Sequence, residues 1–236
     1  MRLPARVSAI VLAGGLTLTP VAVQAATASR QAAAVTPTPT ATPVTTATAT
    51  PAPVTAGHPS GVQAKGAALE NAATGTVLWS REPRAERPMA SITKVMTALV
   101  VIQAGHLSQR ITVPAAVRAY VLKYDASNAG LRPGDRLTAH DLLEGLLLPS
   151  GCDAAYALAQ AYGPGQTAFI AKMNAEAATL HLTHTYFANF DGLPWPTERS
   201  TYSTPDDLLA LGRAAMQSAV FRAIVDQRAD HIAAGP

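Results

Sequence analysis

The amino-acid sequence predicts a mixed fold of the α+β class, in which a short antiparallel sheet is combined with several helices. The first observation is the segment GAALENAATGTVLWS, residues 66–80, where a turn-forming stretch separates two short apolar runs. The second is a set of later segments whose apolar residues recur every three or four positions, a pattern typical of helices packed on a core. Because hydrophobic residues make up 48% of the 236 positions, the chain can bury a core of domain size.

Residues 1–25 have the composition of a secretory leader. Arg2 and Arg6 supply a positive start, residues 7–19 are mostly apolar, and small residues close the segment. The alternative is a retained membrane anchor, which needs roughly 20 continuous apolar residues. Threonines, a glycine pair and Pro20 interrupt this run. We therefore expect export to a secreted or extracytoplasmic location, and membrane contact only if the leader remains uncleaved.

Residues 26–60 are predicted to be a linker. The stretch 36–55 contains only Thr, Pro, Ala and Val, and no formal charge occurs between Arg30 and Lys65. Proline removes a backbone donor and fixes φ, so such a segment is extended and forms no core of its own. We expect a disordered spacer here, followed by one folded domain over residues 61–236.

The folded part is predicted to begin with a hairpin and a helix. The hairpin turns at Ala72-Ala73-Thr74-Gly75, where Gly75 takes a positive φ. The segment RPMASITKVMTALVV, residues 87–101, predicts a helix that stops at Gly105. The apolar residues that define its buried face are Ile92, Val95, Met96, Leu99 and Ile102.

Later helices are indicated by their capping residues. In LRPGDRLTAHDLLEGLLL, Thr138 is a candidate N-cap and Asp141 completes a variant of the capping box. Pro149-Ser150-Gly151 breaks that helix and another starts near Asp153, so Ser150 is predicted on a tight loop between two helices. Further helices are predicted at residues 166–179 and, after the cap Thr204, at residues 205–217.

Charge and cysteine content argue against a nucleic-acid-binding protein and against a domain stabilised by disulfides. The chain has 18 Lys and Arg against 15 Asp and Glu, a net charge of +3, and its basic residues are scattered. Nucleic acid is therefore not expected as a partner. The single cysteine, Cys152, excludes an internal disulfide, so an exported domain would depend on its packed core for stability.

Ser91 and Lys94 form a candidate catalytic pair. Positions i and i+3 of a helix point the same way, so the two side chains would share one face of the first turn. Free N–H groups at a helix start favour a developing oxyanion, and an uncharged lysine in a dry site can accept a serine proton. The alternative is a capping serine beside a solvated lysine, and the spacing by itself leaves both readings open.

Four segments, in this order along the chain, resemble the serine D-alanyl-D-alanine carboxypeptidases, which are low-molecular-weight penicillin-binding proteins. The segments are RPMASITKVMTALVV, LRPGDRLTAHDLLEGLLLPSGCDAAYALA, FIAKMNAEAATLHLTHTYFANFDGLP and STYSTPDDLLALGRAAM. The resemblance runs from about Ala67 to about Phe221. It implies a β-lactamase/transpeptidase-like fold, in which an antiparallel sheet flanked by helices adjoins a helical region.

The resemblance also implies a chemistry. The family has three motifs, S-x-x-K, S-x-N and K-T-G, around a cleft. Ser91 would be the acyl-forming nucleophile, Lys94 its proton acceptor, and Ser150 the proton-relaying serine of the second motif. The implied substrate is a peptidoglycan stem peptide ending in D-Ala-D-Ala at the cell wall. β-Lactams would acylate the same serine, and no metal or organic cofactor is expected.

This sequence departs from the family pattern at two of the three motifs. The second motif reads Ser150-Gly151-Cys152, which places a thiol at the Asn position. Because a thiol is a weak donor and a weak acceptor, we expect a lost substrate contact and slow turnover. We expect Cys152 to be a small, semi-buried residue rather than a reactive thiol. No lysine follows Lys172, so the Lys-Thr-Gly motif is absent, and we expect a fold that is incomplete at its C-terminus.

Two alternative functions remain open at this point. One is a β-lactamase, for which the sequence after Ser150 offers no clear Glu-x-x-x-Asn loop. The other is an exported relative that binds peptidoglycan without catalysis, which the missing third motif favours.

The remaining conspicuous residues are interpreted structurally. His181 and His184 form a weak metal-ligand pattern and are read as surface histidines, so no metal is expected. The residues Asn189, Asp191 and Gly192 are read as a turn beside the cleft with a shaping role. Packing roles are assigned to Trp79, Trp195 and Tyr202.

Overall fold

The computed structural model describes residues 59–227, and this range opens with the predicted hairpin. Strand β1 (Ala67–Asn71) pairs antiparallel with strand β2 (Thr76–Arg81). Gly75 in the connecting turn has φ 71°, as the sequence predicts. Within the described residues this sheet has two strands.

Four shorter strands form two further antiparallel pairs. Strand β3 (Arg87–Pro88) pairs with β6 (Tyr202–Ser203), and β4 (Arg110–Thr112) pairs with β5 (Arg136–Thr138). The first pair holds the segment that leads into Ser91. Neither pair was predicted, because runs of two or three residues are too short to show an alternating pattern.

The described residues contain seven α-helices, five of which the sequence predicts. The two that it does not predict have few buried positions: one buries only Val117, and the other buries Phe221 and Ile224. They are also short, at eight and seven residues, which leaves little length for a periodic pattern to be recognised. The helices are α1 (Thr93–Ala104), α2 (Val117–Tyr124), α3 (Ala139–Leu147), α4 (Cys152–Tyr162), α5 (Gln166–Thr179), α6 (Pro205–Gln217) and α7 (Ala219–Val225).

Two predicted caps are confirmed. The Thr138 hydroxyl accepts from the Asp141 N–H at 3.1 Å, and the Asp141 carboxylate accepts from the Thr138 N–H at 2.9 Å. At the start of α6, the Thr204 hydroxyl accepts from the Asp207 N–H at 3.2 Å. These bonds satisfy N–H groups that have no partner inside the helix, and they set where each helix begins.

One predicted core position is wrong. Ile92 is 47% exposed although it fits the apolar spacing of the helix. It belongs to a 3-10 turn, Ala90–Ile92, that precedes α1, so its side chain does not follow the α-helical face. Met96 and Leu99, within α1 itself, are buried as predicted.

Helix α4 forms the centre of the core. Nearly every residue from Cys152 to Ala159 is a small or apolar side chain, and all of them are buried. A helix that is apolar all round is buried by its neighbours, and α4 contacts α1, α2, α3 and α5. Because the small side chains of alanine allow helices to approach closely, α4 can pack directly against these neighbours.

The described helices were compared with the length and apolar composition that a membrane-spanning helix needs. No single helix between residues 59 and 227 is long and apolar enough to cross a bilayer, and only α6 and α7 taken together are, with a 100° bend between them. The predicted leader and the linker up to residue 58 lie outside the described residues.

We predict that Thr138→Ala lowers the free energy of unfolding by about 1 kcal/mol, because it removes the hydroxyl of the capping box. The measurement is urea denaturation followed by circular dichroism. Thr112→Ala is the control, since Thr112 is an exposed strand residue that has no capping role. Equal unfolding free energies for the two variants would contradict the assignment of the cap.

Candidate active site

The segment that carries Ser91 is held in an unusual conformation. Ala90 has φ 47°, and Ser91 lies in the 3-10 turn immediately before α1. The backbone of Gly192 packs against it: a Cβ at position 192 would lie 1.9 Å from the Ala90 carbonyl oxygen. Gly192 also has φ 82°. Position 192 therefore requires glycine for two reasons: a side chain would not fit, and the backbone conformation is one that other residues rarely adopt.

Ser91 and Lys94 are brought together as the sequence predicts. Lys94 Nζ lies 3.1 Å from Ser91 Oγ in a hydrogen bond. Ser91 is exposed, whereas Lys94 is only 2% exposed. The hydroxyl is therefore accessible from solvent while the amine is not, which rules out the alternative of a solvated lysine.

A second bond fixes the amine from the opposite side. Lys94 Nζ donates to the backbone carbonyl of Asp191 at 2.9 Å. That carbonyl belongs to the predicted turn, which Asn189 closes: its amide donates to the carbonyls of Leu193 and Trp195, both at 2.8 Å. The shaping role predicted for this turn is therefore accompanied by a direct contact with the candidate base.

The Ser150 loop has an uncommon backbone conformation and holds a hydroxyl without a hydrogen-bond partner among the described residues. Ser150 has φ 60°. Its Oγ is buried and has no hydrogen-bond partner among the described residues. Gly151 donates to the Gly145 carbonyl at 3.0 Å, and a Cβ at position 151 would lie 2.4 Å from that oxygen. The predicted tight loop is present, but no hydrogen bond joins Ser150 to Ser91 or Lys94.

Cys152, two residues after Ser150, is buried at the start of α4. It is 1% exposed, deeper than the semi-buried position that the sequence suggests. Burial raises the pKa of its thiol, and the charge of Asp191 raises it further, while Lys94 and Ser127 lower it. A protonated, buried thiol fits the predicted unreactive role.

Sequence reasoning missed Ser127, which joins the loop of the second motif to its surroundings. Its hydroxyl donates to the Ser150 carbonyl at 2.6 Å and lies 3.7 Å from Cys152 Sγ. Its own carbonyl accepts from the Cys152 N–H at 2.8 Å. Ser127 belongs to no motif, so only the folded chain reveals this contact.

Tyr120 and the side chain of Asp191 were also missed as parts of the site. Tyr120 donates to Asp191 Oδ2 at 2.7 Å, and the Trp195 indole donates to the Tyr120 oxygen at 3.0 Å. The packing role assigned to Trp195 is therefore incomplete, because its ring also donates a hydrogen bond. No local pattern could have indicated this, since Tyr120 and Asp191 are 71 positions apart.

One group among the described residues has metal-ligand spacing, and it lies outside this site. His140, Asp141 and Glu144 have ligand atoms within 4.8 Å of one another. The Asp141 carboxylate already accepts a hydrogen bond from the Thr138 N–H in the capping box of α3. The predicted surface histidine His184 contacts Glu86 at 3.2 Å.

Comparison with known proteins identifies the family. The sequence profile of the peptidase S11 family, described as D-alanyl-D-alanine carboxypeptidase, matches residues 52–233. The chain belongs to the peptidase S11 family. It is 40% identical over 185 residues to the D-alanyl-D-alanine carboxypeptidase of Streptomyces sp. strain K15, covering 75% of this chain and 62% of that protein. It is 40% identical over 151 residues to DacB2 of Mycobacterium tuberculosis, covering 64% of this chain and 50% of that protein.

Solved structures agree with the sequence comparison. The Streptomyces K15 DD-transpeptidase aligns with a TM-score of 0.63 and 42% identity, over 67% of this chain and 62% of that one. A D-alanyl-D-alanine carboxypeptidase from M. tuberculosis H37Rv aligns with a TM-score of 0.64 and 37% identity, over 70% and 60%. The predicted fold class is confirmed. This peptidase S11 chain spans about half to two thirds of the length of these relatives.

We predict that Gly192→Ala lowers the free energy of unfolding by more than about 2 kcal/mol, because its methyl group collides with the Ala90 carbonyl and its φ is positive. Thermal or urea denaturation measures the effect. The matched control is Gly212→Ala within α6, where nothing in the described part of the chain, apart from the neighbouring helix backbone, lies within 4 Å of the added Cβ. The control should be neutral or slightly stabilising, and a loss of similar size in both variants would contradict the close approach.

We predict that the Cys152 thiol reacts with a disulfide reagent at pH 8 at least about a hundredfold more slowly in the folded protein than in urea, because it is buried and its raised pKa suppresses the thiolate. A single thiol makes the absorbance change unambiguous. Equal rates in the folded and unfolded protein would mean that Cys152 is accessible and ionised.

Proposed function

We propose that this chain carries the acylating machinery of a serine-type D-alanyl-D-alanine carboxypeptidase that acts on peptidoglycan stem peptides. The observation that carries the proposal is the 3.1 Å hydrogen bond between the exposed Ser91 hydroxyl and the buried Lys94 amine. Membership of the peptidase S11 family supplies the reaction class. β-Lactams are the corresponding covalent inhibitors.

The geometry supports a defined order of proton movements. Lys94, in its uncharged form, accepts the Ser91 proton as Oγ attacks the carbonyl carbon of the terminal D-Ala-D-Ala bond. The C–N bond then breaks, the proton passes to the leaving amine, and an ester remains on Ser91. Water releases this ester by the same route in reverse, and the serine hydroxyl is restored.

Two groups are assigned supporting roles in the proposal. The Ser91 N–H, at the start of a helical segment where N–H groups lack intrahelical partners, is a candidate donor to the oxyanion. The Ser150 hydroxyl has no hydrogen-bond partner among residues 59–227, and we assign it the relay of the proton between Lys94 and the leaving amine. Cys152 occupies the position at which the family pattern places a substrate-contacting Asn.

We propose an extracytoplasmic location at the cell wall. The leader-like residues 1–25 and the Pro- and Thr-rich segment behind them support it. Cleavage of the leader would leave the domain on a spacer, within reach of the wall.

We predict that residues 57–236 are labelled by fluorescent penicillin and that Ser91→Ala reduces labelling to background, because the ester cannot form without the hydroxyl. Gel fluorescence gives the yield, and mass spectrometry of the adduct peptide gives the residue. Ser80→Ala, which removes an exposed hydroxyl on β2, is the matched control and should label like the wild type.

The alternatives are distinguished by the same samples. Folded wild type that labels no better than Ser91→Ala would refute the catalytic proposal and favour binding without chemistry. Rapid turnover of nitrocefin, with no lasting adduct, would favour a β-lactamase.

A further inference from the structure

We propose that Ser127 is a positioning residue that holds residues 150–152 in the conformation that the proton relay needs, and that Asp153 anchors the loop that carries Ser127. The inference rests on the proposed function, in which Ser150 relays a proton. Ser127 is given no contact with the substrate, because it acts through Ser150.

Ser127 contacts residues 150–152 at both of their ends. Its hydroxyl donates to the Ser150 carbonyl at 2.6 Å, and its own carbonyl accepts from the Cys152 N–H at 2.8 Å. The direction of the first bond is fixed, since a carbonyl oxygen can only accept. One residue outside the second motif thus holds the backbone of that motif on either side of Gly151.

The conformation of Ser150 explains why such a clamp is needed. Its φ of 60° is a state that residues other than glycine rarely adopt. Its hydroxyl is buried and has no partner among residues 59–227, so no hydrogen bond of the side chain stabilises this state. Without the bond from Ser127, we expect Ser150 to relax toward a negative φ and to turn its hydroxyl toward solvent.

Gly151 is packed tightly between two other elements. A Cβ at position 151 would lie 2.4 Å from the Gly145 carbonyl oxygen of α3 and 3.1 Å from Ala129 Cβ. The Gly151 N–H donates to the same Gly145 oxygen at 3.0 Å. Helix α3 therefore supports one side of residues 150–152, and the loop of Ser127 supports the other.

Asp153 ties the loop of Ser127 to the start of α4. It is 1% exposed, and its Oδ1 accepts from the Ala129 N–H at 2.9 Å while its Oδ2 accepts from the Leu131 N–H at 2.9 Å. A negative charge is favourable in the first turn of a helix. Because Cys152 belongs to the same turn of α4, the loop is anchored to the element that it clamps.

Ser127→Ala tests the clamp, since it removes the hydroxyl of an exposed residue. We predict about a tenfold fall in the maximal rate of penicillin acylation, the loss expected for one hydrogen bond of this kind. The penicillin concentration that gives half of this rate should not change, because Ser127 does not touch the ligand. Ser127→Thr retains a hydroxyl and should restore most of the rate. All variants are made in the full chain.

The matched control is Ser108→Ala. Ser108 is exposed and has no hydrogen bond among the described residues. Its loss should leave both the maximal rate and the half-saturating concentration at their wild-type values.

The reactivity of the Cys152 thiol measures the clamp without any acylation. The chain has one cysteine, and opening of residues 150–152 would expose it. We predict that Ser127→Ala reacts about tenfold faster with a disulfide reagent under native conditions, whereas Ser127→Thr and Ser108→Ala react like the wild type. Low urea concentrations should not change the rate in Ser127→Ala, since a local opening exposes little surface. A rate that rises with urea in parallel with global unfolding would mean a merely structural role and would overturn the proposal.

Asp153→Asn tests the anchor of the loop. An amide presents one acceptor oxygen where the carboxylate presents two, so one loop N–H loses its acceptor and faces another N–H group. The Cys152 thiol should become at least as reactive as in Ser127→Ala. Asp125→Asn, at an exposed acid just before the same loop, is the control and should leave the thiol unreactive. Equal thiol reactivities in the two aspartate variants would contradict the anchor.

The two readouts separate this inference from the proposed function. Slower acylation together with a more reactive thiol in Ser127→Ala supports the inference. If penicillin does not label even the wild type, the proposed function fails, and an unchanged thiol in Ser127→Ala still overturns the clamp. If Ser91 is labelled at the same rate in wild type and in Ser127→Ala, the inference fails while the proposed function stands.

Discussion

The burial of the Lys94 amine is the constraint on which the rest of the site depends. A charged or strongly polar group inside a protein is unfavourable unless its hydrogen bonds are satisfied and a counter-charge is near. Here the amine is 2% exposed and is met by the Ser91 hydroxyl and the Asp191 carbonyl. These partners lie 3 and 97 positions away from Lys94, so a local turn and a distant loop must meet at one point.

Meeting at one point requires backbone conformations that most residues avoid. Ala90 and Ser150 have positive φ without being glycine, a state that costs about 1 kcal/mol or more each. Gly151 and Gly192 allow contacts of backbone on backbone that a side chain would prevent. The packed core around α4 compensates for this strain, because α4 and α1 are buried against each other and leave the loops at their starts little room to relax.

The site exposes its candidate nucleophile and buries the polar groups around it. Ser91 faces solvent, while the groups that would manage its proton lie behind it in the interior. The thiol at position 152 has a raised pKa and offers only weak hydrogen bonds. The hydrogen bonds to the amine therefore come from Ser91 and from the turn of Asp191, which Asn189 keeps in place.

The local sequence was sufficient for the parts of this protein that depend on neighbours along the chain. The turn at Gly75, the capping box at Thr138, the cap at Thr204, the helices with a continuous apolar face and the i to i+3 pairing of Ser91 with Lys94 all follow from interactions within a few residues. Ile92 was wrongly placed on the buried face because it belongs to a 3-10 turn, and the short strands were not predicted because runs of two or three residues leave no periodic signal. The contacts of Tyr120, Ser127 and Asp191 were decided only by the tertiary structure, since hydrogen bonds across 23 to 97 positions exist only after the helices have packed and brought those backbones together.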